Sequence, residues 1–130
     1  MRDVKTYCPP CRDAPIYAFL GGVDKKLRRK ITWQIFQLSQ INLCEMKEPH
    51  YKHFVLERYS HLYELREKNK ILARIIFTID DSSGDIILLS PFIKRQPRDT
   101  MRALEQSLCM LADIRASPEY AVKFDYFKEV

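Results

Sequence analysis

The chain has 130 residues, 46% of them hydrophobic, and a formal net charge of +5. This is ordinary globular composition, long enough to bury one core and giving no reason to invoke a second domain; no internal repeat or low-complexity tract is present. The excess of cations favours a nucleic acid, a ribosome or an acidic partner. Met1 to Lys5 lacks the apolar core of a secretion signal, and no segment approaches the ~18 uninterrupted apolar residues that span a bilayer. The expectation is a soluble, cytoplasmic protein without a membrane partner, its four cysteines mainly reduced.

In chain order, Val4 to Tyr7 suits a short first strand, ended by Cys8-Pro9-Pro10-Cys11 because consecutive prolines cannot continue a ladder. Asp13 is placed to cap a short helix through Leu20, stopped at Gly21-Gly22. Asp24 is placed to cap a longer helix to about Gln40, with Leu27, Ile31, Ile35 and Leu38 on one stripe. Lys25, Lys26, Arg28, Arg29 and Lys30 crowd its first turns, where positive charge opposes the macrodipole. They are either a solvated face or residues kept for something other than helix stability. Residues 41–60 show no clean period and read as a helix remnant and a connecting loop, which brings His50, Lys52, His53 and Tyr59 near the next strand.

Three strands in a meander follow: Leu62 to Arg66, Ile71 to Ile79 and Ile86 to Ile93, joined by Glu67 to Lys70 and by the Asp80 to Asp85 turn cluster. Period-two geometry puts Ile71, Ala73, Ile75, Phe77 and Ile79 on one face and Arg74 on the other, with Arg66 likewise opposite Tyr63 and Leu65. A sheet with one greasy face thus gathers cations on its other face, a pattern that suits a polyanion. Beyond Arg95 the chain turns at Gln96-Pro97; Asp99 is placed to cap a helix with Met101, Leu104, Leu108 and Leu111 as its stripe, ending near Ile114. The aromatic tail, residues 117–130, is an extension that either adds a strand or docks on a partner.

Pro49, Lys52, Tyr63-Glu64-Leu65-Arg66, Arg74, Leu88 to Phe92 and Lys94-Arg95, in that order and spacing, resemble the phage-derived HigB-like branch of the RelE/ParE toxin superfamily. The resemblance covers about Pro49 to Ile114. It departs from the family pattern at Ser90-Pro91, where His-Gly is common, so a possible acid/base imidazole is missing, and at Thr100, where a proline often opens the last helix. It implies an α+β fold over a single domain 1–130: a RelE-like twisted antiparallel sheet, two N-terminal helices and a C-terminal helix. It also implies the toxin of a toxin-antitoxin pair, a metal-independent, ribosome-dependent endoribonuclease (mRNA interferase) needing no cofactor. The partners would be a helix-turn-helix antitoxin, mRNA and the ribosome. The alternative is a non-catalytic ParE-like or phage-derived protein that inhibits a topoisomerase or another host target.

On that resemblance the catalytic set is Arg66, Arg74, Lys94 and Lys52, with Phe92, Arg95 and His53 contacting RNA. RNA carries its own nucleophile, the 2'-hydroxyl, so cleavage needs a base, cations for the phosphorane and an acid for the leaving 5'-oxygen. The alternative for the arginines is structural pairing with Glu64, Glu67 or Asp85. Of the three histidines, His53 is the choice for catalysis or RNA contact, and His50 and His61 are assigned to the surface. None has metal-site spacing. Cys8-x-x-Cys11 matches a dithiol motif in form, but only seven residues precede it, too few for the strand-helix-strand lead-in of a redox domain.

Overall fold

The computed structural model describes residues 2–129. Its elements run β1 (Val4–Tyr7), α1 (Pro15–Gly22), α2 (Lys25–Gln40), β2 (Tyr51–His53), β3 (Leu62–Asn69), β4 (Ile71–Ile79), β5 (Ile86–Ile93), α3 (Pro97–Ala116) and β6 (Ala121–Lys123). Six strands form one mixed sheet in the order β2-β3-β4-β5-β1-β6, so the fold is α+β as expected. The β3-β4-β5 meander is antiparallel. β1, by contrast, lies parallel to β5, with Val4 beside Ile86. The tail takes the strand option: Ala121 pairs with Tyr7 and Lys123 with Lys5. No helix among the described residues is long and apolar enough to cross a membrane.

The alternation of β4 sets the layers. Ala73, Ile75 and Phe77 point to one side, where they meet Ile16, Leu20, Leu27, Ile31, Ile35 and Leu38 of α1 and α2. Ile76 points to the other side and meets Leu62, Leu89, Leu104, Leu111 and Ile114. The expectation of one greasy face is therefore corrected: α3 covers much of the second face, and a sheet covered twice needs apolar residues in both phases. This explains why Ile86 to Leu89 is an unbroken apolar run, every member of it buried. Pro91 stands inside this central strand, at a bulge. Ile75 pairs with Pro91 but Phe77 with Leu88, leaving Leu89 and Ser90 together opposite Ile76.

Several boundaries differ from expectation for local reasons. α1 starts on Pro15, whose fixed φ and missing N–H suit a first helical turn, with Ala14 rather than Asp13 at the cap, and it runs on through Gly22. Asp24 does cap α2, accepting from the Leu27 amide at 2.8 Å. β3 continues to Asn69, so its turn tightens to Lys70 at φ 69°. Lys30 Nζ donates to the Lys68 carbonyl at 3.0 Å and Asn69 Nδ2 to the Asp24 carboxylate at 3.1 Å, which ties this hairpin end to α2. Residues 41–60 contain the edge strand β2 and 3-10 turns at Leu43–Glu45 and Glu57–Tyr59 in place of a bare loop. α3 buries Ala103, Leu104, Ser107, Leu111 and Ile114, while Met101 is exposed. The buried stripe is rotated relative to the one read from hydrophobicity because Ser107 bonds Ser90 across the sheet-helix contact, Oγ to Oγ at 2.8 Å.

Two-sided burial makes Ile75 and Ile76, both fully buried, equally sensitive. Truncating either to alanine is expected to cost about 2–5 kcal/mol, the usual range for a buried isoleucine. Chemical denaturation of both variants checks this; an Ile76→Ala protein as stable as the parent would mean that α3 does not seal the second face.

Candidate functional site

Strand register assembles the cationic cluster. β3 and β4 place Arg66 directly across from Arg74, β4 and β5 place Phe92 across from Arg74, and β2 and β3 place Lys52 across from Glu64. Lys94 donates its amide to the Leu72 carbonyl at 2.8 Å, one rung beyond. All of these fall in the phase of Ile76, on the face that α3 shares. Arg66 and Arg74, with Pro49, His50, Glu67, Lys68 and Leu72, line a shallow cleft of about 240 Å³. Lys52, Phe92 and Lys94 are outside that lining. Lys52 is exposed and lies 5.4 Å from the Phe54 ring, whereas Phe92 packs partly against the α3-side core. Arg95 is exposed, and its amide donates to the Asp99 carboxylate at 2.9 Å where α3 begins.

Glu64 organises the pair. Its side chain is 1% exposed. Oε1 accepts from Arg66 Nε at 2.8 Å and stands 3.7 Å from Arg74 Nε, an ion pair too long for a hydrogen bond. Glu64 Oε2 and Arg74 Nε have no hydrogen-bond partner among the described residues. Arg74 is anchored through Nη1 to the Ala73 carbonyl at 3.1 Å. Burial pulls the Arg74 guanidinium below its ordinary pKa, Glu64 opposes that and Arg66 adds to it, but an arginine remains charged throughout the working range. Arg66 also reaches Glu48 at 3.1 Å, but Glu48 is 67% exposed, so that contact is screened and easily exchanged.

The ion pairs raised as the alternative for these arginines are therefore present, with Glu64 and Glu48 as partners. Buried Glu64 and exposed Glu48 together balance the two guanidiniums, with Glu67 also in the cleft lining, so the cationic character comes from Lys52 and Lys94 nearby and from the ease with which Glu48 is exchanged. An anion that displaced Glu48 would meet paired donors from two strands, a geometry suited to phosphate.

His53 sits elsewhere. It is paired with Tyr63 on the opposite face, stacked on that ring at 4.3 Å, and its Nε2 is 2.7 Å from the Ser60 carbonyl oxygen. His50, read from sequence as a surface residue, shares the cleft with Arg66 and Arg74, its Nδ1 3.9 Å from Glu67. Its carbonyl accepts from the Arg66 amide at 2.7 Å, continuing the β2-β3 ladder. That pairing was the only available signal for His50, and a three-residue edge strand is too short to show in hydrophobicity. Ser90 is buried beneath α3, so it is closed off from the cleft side. The four cysteines are free, and no group of three or more His, Cys, Asp or Glu among the described residues is placed to hold a metal ion.

The paired arginines thus stand on the interior strands β3 and β4, on the face that α3 partly covers. The model of the phage-derived Gp49-like protein family (DUF891) matches residues 18–115, which hold the whole cationic cluster, and the chain belongs to that family. The family is associated with RelE-like toxins. A search of curated proteins gives no match.

Replacing Glu64 by Ala leaves two adjacent guanidiniums without their buried counterion, and breaking a buried pair in this way typically costs about 3–5 kcal/mol. Thermal melts should show the loss, and added phosphate should restore part of it by standing in for the carboxylate. Destabilisation that phosphate leaves untouched would show that the pair is closed to anions.

Proposed function

We propose that the chain acts as one toxin domain of the RelE/HigB type, cutting messenger RNA on the ribosome by metal-independent transesterification. The observation that carries this is the Arg66-Arg74 cross-strand pair, held by one buried and one exposed, exchangeable carboxylate and lining an open cleft. In the reaction the 2'-oxygen attacks phosphorus and gives up its proton, the bond to the 5'-oxygen breaks, and that oxygen takes a proton. Arg66 and Arg74 hold the phosphate and stabilise the charge that builds on its oxygens. Lys52 and Lys94 track the backbone on either side or take part in proton transfer, Arg95 extends the basic path, and Phe92 stacks on a base. His50 supplies what Ser90 does not: it is the imidazole in the cleft, beside Arg66 and Arg74, where it can pass a proton to or from the reacting oxygens. A small helix-turn-helix antitoxin is the expected neutralising partner.

A second reading follows from the burial of Ser90 and the partial neutralisation of the arginines by Glu64: a non-catalytic ParE-like inhibitor of a topoisomerase or another host protein, using the same face only to bind. Primer-extension mapping of RNA ends in cells expressing the chain separates the two. Breaks inside translated frames support cleavage; intact messages with growth arrest support the inhibitor.

For the nuclease, Arg74→Ala should keep the fold, since the side chain lies outside the apolar contacts, while cleavage falls roughly a hundredfold to a thousandfold, the usual cost of one transition-state donor. Arg74→Lys recovers part of that, because an ammonium lacks the paired donors. His50→Gln should slow cleavage while leaving RNA binding intact, since it removes the cleft imidazole and leaves both arginines in place. A folded, fully active Arg74→Ala enzyme removes Arg74 from the site.

A further inference from the structure

The outer side of α2 carries a second surface, on the opposite side of the sheet from the cationic cleft. Trp33 is 56% exposed, Phe36 41% and Phe127 93%. With Arg28, Arg29, Thr32 and Tyr126 they line an open groove of about 710 Å³ whose wall is almost wholly apolar. Soluble proteins rarely leave three large aromatics together in water without a partner for them. The N-terminal half of α2 adds charge: the helix holds Lys25, Lys26, Arg28, Arg29 and Lys30 and not one carboxylate in its sixteen residues. These cations oppose the helix dipole, so helix stability does not account for them. Arg28 is tied to the Leu20 and Val23 carbonyls and Lys30 to Lys68, whereas Lys25, Lys26 and Arg29 are exposed.

We infer that this groove is a docking site for an amphipathic α-helix of a partner protein, its apolar ridge seated on Trp33, Phe36 and Phe127 and its acidic residues facing Lys25, Lys26 and Arg29. Charge complementarity selects an acidic partner. The form of the groove selects a helix over the other polyanions. RNA stacking requires free ring faces, but three of these rings are engaged with aromatic neighbours, Trp33 with Phe36 at 5.8 Å, Phe36 edge-on to Tyr126 at 6.3 Å and Tyr126 edge-on to Phe124 at 4.9 Å, which leaves Phe127 as the one ring of the groove without such a neighbour among the described residues. A membrane surface calls for a broad protruding apolar wedge, and here Phe127 alone projects while Trp33, Phe36 and Tyr126 line a groove. Side chains at helical spacing fit such a groove, and its cationic end meets the acidic flank. The inference stands on this surface alone, whether or not the cleft cuts RNA.

Trp33 is the sole tryptophan of the chain, so its emission reports occupancy directly. The probe is a synthetic helical peptide with leucines at i, i+3, i+4 and i+7 and glutamates flanking them; its counterpart carries lysines in place of the glutamates. The acidic peptide should shift Trp33 emission to the blue with an affinity that weakens as salt rises, and the lysine peptide should not. In Phe36→Ser and in Phe127→Ser, which touch exposed positions and whose folding circular dichroism verifies, the affinity should drop about tenfold or more, as at the centre of an interface. Arg29→Glu should weaken the acidic peptide and admit the lysine one. Equal binding of both peptides, no response to either, or a Trp33 shift with anionic vesicles or oligouridylate in place of the acidic peptide overturns the inference.

Discussion

Everything in this fold depends on the phase of β4. Its odd-numbered residues from Ala73 to Phe77 are buried against α1 and α2, and Ile76 is buried against α3, so the strand cannot slip by one residue without driving Arg74 into the helical core. Register in the neighbours follows from it. Once Arg74 is fixed, hydrogen bonding places Arg66 on one side and Phe92 on the other. The cationic cluster is thus a by-product of apolar packing a few ångströms away, which holds it to the precision of a core.

The same packing makes the cluster costly. Two guanidiniums at neighbouring positions repel, and burial of Arg74 withdraws the water that would screen them. Glu64, itself sealed from solvent, offsets part of this with one oxygen and leaves the other without a donor. A pair arranged for stability alone would use both oxygens. The incomplete arrangement keeps the arginines together while leaving the outward donor of Arg66 to an exposed and weakly held Glu48.

Much of this was legible in the sequence. Alternation from Ile71 to Ile79, the Leu27-Ile31-Ile35-Leu38 stripe and the Asp24 cap each repeat one period long enough to be read, and they fix the helices, the meander and the side on which Arg66 and Arg74 stand. Short or context-dependent elements were not. β2 has three residues, so the sharing of one cleft by His50 and the arginines, and the placement of His53 behind the sheet, depend on a pairing that no local pattern announces. Ser107 lies on the buried stripe of α3 only because Ser90 waits across from it, a tertiary contact between two polar residues that hydrophobicity scores as surface. The second covered face was hinted at by the unbroken run from Ile86 to Leu89, since a half-exposed strand would have alternated.

The parallel pairing of β1 with β5 orders events in time. The three meander strands are joined by short turns and can pair locally, whereas Val4 and Thr6 of β1 find their partners, Ile86 and Leu88, only far along the chain. Without that contact β1 is an unpaired strand and the β5 edge stays open. β6 pairs on the far side of β1. The arginine pair is thus built from local hairpin contacts alone, while the long-range β1 contact, the slower kind to form, seals an edge that takes no part in building it.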